Sequence, residues 1–336
     1  MRSTYVCFPE PNRIEVREEE VAAPGNGEVL CQALCSLISI GTETYCLRGV
    51  FDPGTNWASW VQYPFRPGYS MAARVVAVGP GVTGVQVGDR VAASAAHQQY
   101  FRASAARVQP VPEWISDEEA TWAFLARTTQ LGARRAQLQM GESVAIVGLG
   151  MLGQMVTQYA LLSGVRRLIA IDTVAGRLGL ARAHGATDTL QMDVASARAE
   201  VERLTDGRML DVVWDITGHP AVLAPALQLL HRFGHLVLLG DTPTPTQQHL
   251  GPGVVSNSLS ILGIHGTAYP EEASAYAPWS GVEMTTLFFD YIRQERMRVA
   301  DLITPRHAPA DAPAVYEGLV RDRSACIGVI FDWARV

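Results

Sequence analysis

The sequence predicts an α/β protein in which a β-rich, barrel-like domain is joined to a doubly wound parallel sheet. Two observations support this prediction. Between about residues 126 and 266, short apolar runs alternate with helical patterns, as in a parallel sheet that is covered by helices on both faces. Before residue 126, many short apolar segments are separated by glycine- and proline-containing turns, a pattern typical of a β-barrel-like domain.

The predicted elements follow this division. The apolar segments of the β-rich part are Tyr5–Phe8, Arg13–Arg17, Val29–Ile40, Ala72–Val78, Arg90–Ala93 and Val108–Val111. The predicted strands of the parallel sheet are Ser143–Val147, Arg167–Asp172, Thr187–Gln191, Asp211–Ile216, His235–Leu239 and Ser260–Ile264. The helices predicted between those strands are Met151–Leu162, Ala175–His184, Ala197–Leu204 and Ala221–Arg232. After residue 266 we predict a helix over Gly281–Gln294 and a terminal strand over Ala325–Trp333 that return to the first domain.

Length and composition exclude several functional classes. The 336 residues are enough for two domains, and a net charge of −6 offers no basic surface for nucleic acid. The chain shows neither a signal peptide nor an apolar stretch of the ~18 residues that a membrane span needs, so we expect a cytoplasmic protein without a membrane partner. The five cysteines lack C-x-x-C spacing and are expected to be reduced.

Lysine is absent, because all 27 basic residues are arginine. The sequence therefore excludes a Schiff base, a tyrosine–lysine proton-transfer pair and a phosphate-binding loop that depends on lysine. Any catalytic proton must move through histidine, tyrosine, a hydroxyl, a thiol or a carboxylate.

A glycine motif directly after the first predicted strand of the parallel sheet indicates a dinucleotide site. Gly148 allows a tight strand-to-helix turn, Gly150 lets a pyrophosphate approach the backbone, and Gly153 lets the helix lie close to the strand. Met151 and Leu152 begin the helix, whose N-terminus offers free N–H groups and a positive dipole end to phosphates. We expect all five residues to contact the cofactor.

An acidic residue at the end of the second strand favours NAD. Asp172 lies nineteen residues after Gly153, where a carboxylate accepts hydrogen bonds from the adenosine ribose and repels a 2′-phosphate. Arg177 could stack on the adenine or assist a 2′-phosphate, so NADP is the less favoured alternative. The ends of later strands add the remaining candidates, which are Thr217, Gly218, Gly240 and His265.

The chain as a whole resembles the medium-chain dehydrogenase/reductase superfamily. The resemblance rests on Ile40-Gly41-Thr42-Glu43, Pro67-Gly68-Tyr69, the Gly148 motif, Asp215-Ile216-Thr217-Gly218 and Leu302-Ile303-Thr304. It implies a GroES-like catalytic domain over residues 1–125, a Rossmann domain that binds NAD over 126–266, and a segment over 267–336 that returns to the catalytic domain. It also implies that Thr128 lies beside the nicotinamide amide.

The departures from the zinc-type alcohol dehydrogenases indicate a branch without zinc. The positions where those enzymes carry ligands appear here as Ile40, Gly68-Tyr69-Ser70 and Phe124, which offer no thiolate, imidazole or carboxylate. The four-cysteine structural lobe is also missing. Within the superfamily the chain is most similar to the zinc-lacking branch that includes bacteriochlorophyllide a dehydrogenase and related sugar-type oxidoreductases. We therefore expect neither zinc ion.

Five residues are candidates for the catalytic chemistry. Hydride transfer requires a group that exchanges the substrate proton, and His97 and Tyr69 are the first candidates for this general acid/base. By resemblance, Thr42 and Tyr45 occupy proton-relay positions, with Thr42 bonded to the reacting oxygen, and Glu43 is an orienting carboxylate. Each has a structural alternative, such as a turn hydroxyl, a buried tyrosine or a plain salt bridge.

These observations predict a zinc-independent, NAD-preferring oxidoreductase that interconverts a secondary alcohol and a ketone. The small-molecule substrate would be polyol-like, sugar-like or a larger secondary metabolite. Two alternatives remain open: a zinc-free reductase of enoyl or quinone substrates, and a nucleotide-binding sensor or assembly subunit without turnover. We also expect a homodimer, because the apolar strand Ser260–Ile264 would lie at a sheet edge and invite pairing.

Overall fold

The computed structural model describes residues 1–336, which divide into two units. The first unit contains residues 1–124 and 285–336, and the second contains residues 125–284. The strands are β1 (Arg2–Cys7), β2 (Glu15–Glu20), β3 (Glu28–Ile38), β4 (Met71–Val78), β5 (Arg90–Ala93), β6 (Tyr100–Ser104), β7 (Gln109–Pro110), β8 (Ser143–Val147), β9 (Arg167–Asp172), β10 (Asp188–Gln191), β11 (Leu210–Asp215), β12 (Leu230–Leu238), β13 (Ser260–Gly263), β14 (Ile303–His307) and β15 (Gly328–Asp332). The α-helices are α1 (Ile40–Arg48), α2 (Asn56–Trp60), α3 (Asp117–Ala120), α4 (Ala123–Ala136), α5 (Met151–Leu162), α6 (Ala175–Ala183), α7 (Arg198–Leu204), α8 (Leu223–Leu227), α9 (Gly281–Arg293) and α10 (Ala312–Arg321).

The second unit is a doubly wound parallel sheet, which confirms the predicted fold class. Its strand order is β10-β9-β8-β11-β12-β13, and every neighbouring pair is parallel. The order reverses between β8 and β11, so a ligand crevice is expected beyond the carboxyl ends of these two strands. The short strand β13 lies at an edge of the sheet, as the sequence predicts.

Strand alternation explains why this sheet is buried on both faces. Successive side chains of a strand point to opposite sides. In β8, Val144 and Ile146 belong to one apolar core, and Ala145 and Val147 belong to another. A near-continuous apolar run is therefore what a central parallel strand requires.

The first unit is an antiparallel, barrel-like structure around the long strand β3. This strand pairs with β4, β6 and β15, and β1 forms a hairpin with β2. The terminal strand β15 places Phe331 opposite Ser36, which brings the end of the chain against the centre of the unit.

The second boundary differs from the prediction by 18 residues, since the units divide after residue 284 rather than after 266. The intervening residues pack with the parallel sheet. Tyr269 and the fully buried Met284 join one of its apolar cores, and the guanidinium of Arg134 lies 3.4 Å from the centre of the Trp279 ring. The composition of this loop gave no sign of these contacts.

The predicted helix Ala221–Arg232 is wrong beyond Leu227, because residues from Leu230 onward form β12. Pairing of Leu230 with Leu210 of β11 takes this apolar run into the sheet, and such tertiary pairing overrides a helical pattern. The structure also contains α1, α4 and α10, which the sequence pattern did not reveal. None of the helices is both long and apolar enough to span a bilayer.

Candidate active site

The glycine motif forms the turn between β8 and α5, and its backbone geometry requires glycine at two points. Gly148 has φ of 89°, a conformation that side chains disfavour. A Cβ on Gly153 would lie 2.1 Å from the carbonyl oxygen of Gly148, so only glycine lets the helix approach the strand this closely. The loop is therefore shaped by the absence of side chains.

Gly150 is open on the side where a Cβ would lie, because no atom occurs within 4 Å of that position. It precedes α5, whose first residues are Met151 and Leu152, and no side chain caps this helix. The first N–H groups of a helix have no intrahelical acceptor and attract anions. The residues present therefore fit a pyrophosphate at this helix N-terminus.

Asp172 ends β9 and is held beside the same loop. Its carboxylate accepts hydrogen bonds from the backbone N–H groups of Leu149 at 2.7 Å and Val174 at 2.8 Å. Arg177 on α6 places its guanidinium 3.8 Å from the Asp172 carboxylate. This geometry places a carboxylate beside the dinucleotide loop, as ribose recognition requires.

A second turn follows β11 and lies against the glycine loop. The Asp215 carboxylate accepts from the Thr217 N–H at 2.9 Å and from the Thr217 hydroxyl at 2.6 Å. Burial raises the pKa of Asp215, and the bonds from Thr217 oppose part of that increase. A Cβ on Gly148 would lie 2.7 Å from the Thr217 methyl group, so the two turns are in close contact.

The remaining predicted cofactor residues lie beyond the neighbouring strands. A Cβ on Gly240, after β12, would lie 2.4 Å from the Gly218 backbone nitrogen. Beyond β13, a Cβ on Gly266 would lie 2.4 Å from the Thr128 hydroxyl. His265 is exposed and bonds the Thr267 hydroxyl at 2.8 Å.

The structure thus brings the predicted cofactor residues to one edge of the parallel sheet, because the carboxyl ends of parallel strands meet there. The residues at this edge are Thr128, Gly148, Gly150, Met151, Leu152, Gly153, Asp172, Arg177, Thr217, Gly218, Gly240 and His265.

In the first unit, three hydroxyl groups meet at Tyr69. The half-buried Tyr69 donates a 2.6 Å hydrogen bond to the Ser39 hydroxyl, and it also bonds the side chain of Thr42. Burial raises the pKa of the Tyr69 phenol, the Ser39 and Thr42 hydroxyls oppose that increase, and the nearby Glu43 adds to it. Tyr69 is therefore a protonated hydroxyl at neutral pH with two further hydroxyls at its oxygen.

Glu43 is buried at 1% exposure and receives three hydrogen bonds. The backbone N–H of Ser39 donates to one carboxylate oxygen at 2.7 Å. The other oxygen accepts from Tyr316, and it lies 3.0 Å from His97 Nε2. Glu43 therefore holds the start of α1 through the Ser39 N–H.

His97 requires a correction as a candidate general acid/base. The ring is fully buried, with Nε2 on Glu43 and Nδ1 2.7 Å from the Ser36 hydroxyl, which accepts from the Trp333 indole N–H at 2.9 Å. A ring with both nitrogens bonded inside the protein has no nitrogen within reach of a substrate proton. His97 belongs to a buried polar network, and Tyr69 remains as the proton-exchange candidate.

Tyr45 lies one turn beyond Thr42 on α1, so the two share a helix face. The half-buried Tyr45 ring packs edge-on against Trp57, with ring centres 5.7 Å apart. The Phe51 ring stacks on Trp57, with ring centres 6.0 Å apart. Tyr45 is thus part of an aromatic cluster with Trp57 and Phe51, on the same helix as Thr42.

The donor set does not match a zinc centre. The structure contains no group of three or more histidine, cysteine, aspartate or glutamate side chains that could hold a metal ion. At the positions that resemble zinc-ligand positions, Ile40 is apolar and buried, and Tyr69 donates a hydrogen bond to Ser39.

Three residues of these sites were not predicted: Ser39, Gln154 and Tyr316. The Gln154 amide donates to the Leu149 and Arg177 carbonyls and so ties the glycine loop to α6. A serine before a helix is a common N-cap signal, but α1 itself was not predicted. Tyr316 lies on the apolar stripe of α10 with Ala312, a pattern that could have been found by its 3–4 residue spacing.

Two family models match the chain. The alcohol dehydrogenase GroES-like domain matches residues 27–113, and the zinc-binding dehydrogenase domain matches residues 152–280. The first lies in the antiparallel unit and the second in the parallel sheet.

Named relatives and solved structures agree with these matches. Sorbitol dehydrogenase from Bacillus subtilis is 29% identical over 247 residues, which are 63% of this chain and 69% of the relative. D-guloside 3-dehydrogenase from Escherichia coli is 26% identical over 274 residues, covering 80% of this chain and 78% of the relative. A protein described as a short chain alcohol dehydrogenase from Escherichia coli CFT073, solved with NADH, has a TM-score of 0.81 at 20% identity and covers 98% of this chain and 99% of its own.

The two domain matches cover both units in the order that the sequence predicts, and the fold agrees over nearly the whole chain. The chain belongs to the medium-chain dehydrogenase/reductase superfamily of oxidoreductases.

Proposed function

We propose that this protein is a zinc-independent, NAD-preferring oxidoreductase that interconverts a secondary alcohol and a ketone. The observation that carries the proposal is the Tyr69 phenol, which is bonded to Ser39 and Thr42 at a position that resembles a zinc-ligand position of the family. A protonated phenol with supporting hydroxyls can act as a proton donor without a metal.

The substrate is proposed to be a polyol-like or sugar-like molecule, with a larger secondary metabolite as the broader possibility. Support comes from the names of two relatives, a sorbitol dehydrogenase and a D-guloside 3-dehydrogenase. The hydroxyl-rich surroundings of Tyr69 are chemically suited to bind a substrate that carries several hydroxyl groups.

The preference for NAD is supported by Asp172. Its carboxylate lies next to the glycine loop and bonds the Leu149 N–H. A negative charge here would repel the 2′-phosphate of NADP and accept hydrogen bonds from an unmodified ribose. An NADH complex of the same fold is consistent with this assignment.

Bound nicotinamide supplies the hydride donor or acceptor of the reaction. During ketone reduction the carbonyl oxygen gains negative charge, and the Tyr69 O–H donates its proton to that oxygen. The Ser39 and Thr42 hydroxyls then donate to the phenolate until it regains a proton from solvent. In alcohol oxidation the proton moves in the opposite direction. The raised pKa of Tyr69 favours the acid role, because the phenol holds its proton through neutral pH.

Independence from zinc is supported by the donor chemistry around Tyr69. Zinc requires thiolate, imidazole or carboxylate ligands, whereas Ile40 and Phe124 provide none of them at the related positions. His97, Glu43 and Cys46 are the nearby groups with suitable atoms. His97 and Glu43 are bonded to each other inside the buried network, and burial raises the pKa of the Cys46 thiol, which disfavours the thiolate that zinc requires.

We predict that Tyr69→Phe lowers kcat for ketone reduction by about 10²-fold, because general acid catalysis contributes at least this factor. Wild-type reduction should stay constant through neutral pH and decline only above the raised pKa of the phenol. Tyr63→Phe is the control, since its hydroxyl bonds the Cys46 carbonyl on the same helix. Steady-state rates with NADH over a series of polyol-derived ketones measure the effect. Equal rates for Tyr69→Phe and wild type would contradict the assignment.

We predict that Gly150→Ala weakens NADH binding by at least about tenfold while thermal stability is retained. The added methyl group meets no protein atom but would enter the space of the pyrophosphate. Gly179→Ala on α6 is the matched control, since its Cβ also meets no atom within 4 Å. Fluorescence titration with NADH measures both. Similar NADH affinities of the two variants would contradict a pyrophosphate site at this loop.

We predict that Asp172→Ala weakens NADH binding by about tenfold or more, because hydrogen bonds to a charged group contribute 1.5–3 kcal/mol. NADPH binding should weaken less, since the charge that repels its phosphate is also removed. Asp188→Ala is the control, because Asp188 begins β10 and so lies at the amino-terminal edge of the sheet. An equal loss of affinity for both cofactors would refute the ribose role.

A further inference from the structure

Tyr316 is a fully buried tyrosine of the first unit, and its hydroxyl bonds the Glu43 carboxylate. It lies on α10, more than 270 residues from the start of α1, and donates a hydrogen bond to Glu43. Phe8 packs edge-on against its ring with centres 5.0 Å apart, and Phe331 lies 6.2 Å away. These aromatic contacts and full burial restrict the position of the Tyr316 ring.

Both oxygens of the Glu43 carboxylate that receives this bond have hydrogen-bond partners. Its first oxygen accepts the Ser39 N–H at 2.7 Å, and its second lies 3.0 Å from His97 and accepts from Tyr316. A carboxylate that accepts several donors in a buried place acts as an acceptor only. Loss of any one donor is therefore expected to shift the carboxylate relative to the other two donors.

Ser39 connects the Glu43 carboxylate to the Tyr69 hydroxyl. Glu43 accepts a hydrogen bond from the backbone N–H of Ser39, and the Ser39 side chain makes no capping bond to α1. The Ser39 hydroxyl is instead the acceptor of the Tyr69 phenol at 2.6 Å. The position of Ser39 thus links the buried carboxylate to the phenol.

We propose that Tyr316 is a positioning residue that acts through Glu43 and Ser39 on the Tyr69 phenol. The proposal rests on the proposed role of Tyr69 as proton donor. It assigns to the C-terminal segment of the chain a part in setting the geometry of proton transfer, although Tyr316 itself touches neither phenol nor substrate.

The charges around Tyr69 indicate how the network acts. Glu43 on α1 raises the pKa of Tyr69 by its negative charge. Burial raises the pKa of Cys46, also on α1, so its thiol adds no negative charge at neutral pH. Burial and Glu43 raise the pKa of Tyr316 well above its usual range, so Tyr316 stays a donor. His97 completes the set of titratable groups on this carboxylate.

The experiment compares three variants of the full-length protein. Tyr316→Phe removes the donor but keeps the ring and the charge of Glu43. Glu43→Gln removes the charge. Tyr63→Phe is the matched control, because it also removes a tyrosine hydroxyl that bonds α1, there at the Cys46 carbonyl and outside the network.

In ketone reduction with NADH, Tyr316→Phe should lower kcat by about tenfold with KM for NADH unchanged, as expected from a displaced proton donor. Its alkaline decline in rate should not move to lower pH, because the charge remains. Glu43→Gln should move that decline to lower pH, because loss of a nearby negative charge favours the phenolate. Tyr63→Phe should leave both quantities at wild-type values. A Tyr316→Phe enzyme with the kcat of Tyr63→Phe overturns the proposal.

Hydrogen–deuterium exchange separates this proposal from the proposed function. The peptide over residues 36–45 contains the Ser39 N–H, and its exchange should be faster in Tyr316→Phe than in Tyr63→Phe. If wild type reduces no ketone with NADH, the proposed function fails, and the exchange rates alone decide the coupling. Equal exchange rates in the two tyrosine variants would then show that Tyr316 does not fix the position of Ser39.

Discussion

A single buried carboxylate is the constraint on which the first unit depends. Glu43 is 1% exposed, and a buried charge is tolerated only when it is paired and hydrogen-bonded. Its donors come from Ser39, His97 and Tyr316, which are far apart in the chain. Removing one partner of a buried pair costs about 3–5 kcal/mol. The start of α1, the loop at residue 97 and helix α10 must therefore meet around this carboxylate. Trp333, directly after β15, donates a hydrogen bond to Ser36, the partner of His97.

The same constraint explains how the proposed proton transfer can proceed without lysine or zinc. Glu43 accepts the Ser39 backbone N–H, and the Ser39 hydroxyl accepts the hydrogen bond of Tyr69. The second unit solves a different problem, because its cofactor edge is shaped mainly by missing side chains. Gly148 and Gly153 bring a helix N-terminus onto the strand ends, where backbone groups can bind phosphates. Side-chain hydroxyls thus serve the proposed proton transfer, and backbone N–H groups serve the cofactor.

Features that depend on residues close together in the chain could be predicted from the sequence, and features that depend on distant partners could not. Strands β8 and β9 and helix α5 match their predicted bounds, because apolar periodicity and the exclusion of a Cβ at Gly153 act within a few residues. His97 could not be placed in this way, since an isolated histidine looks the same in a cleft and in a buried network. Tyr316 was missed because its role depends on a partner 273 residues away. The error in the second half of the predicted helix 221–232 has the same origin, because pairing with β11 places residues from Leu230 onward in the sheet.

The central claim is that proton transfer depends on the hydroxyl of Tyr69 and needs no metal. The most direct measurement is the zinc content of the purified protein together with its kcat for NADH-dependent ketone reduction before and after dialysis against a chelator. The account predicts substoichiometric zinc and an unchanged kcat, because the residues around Tyr69 offer no set of zinc ligands. One zinc per chain, with activity lost on chelation and restored by zinc, would contradict it.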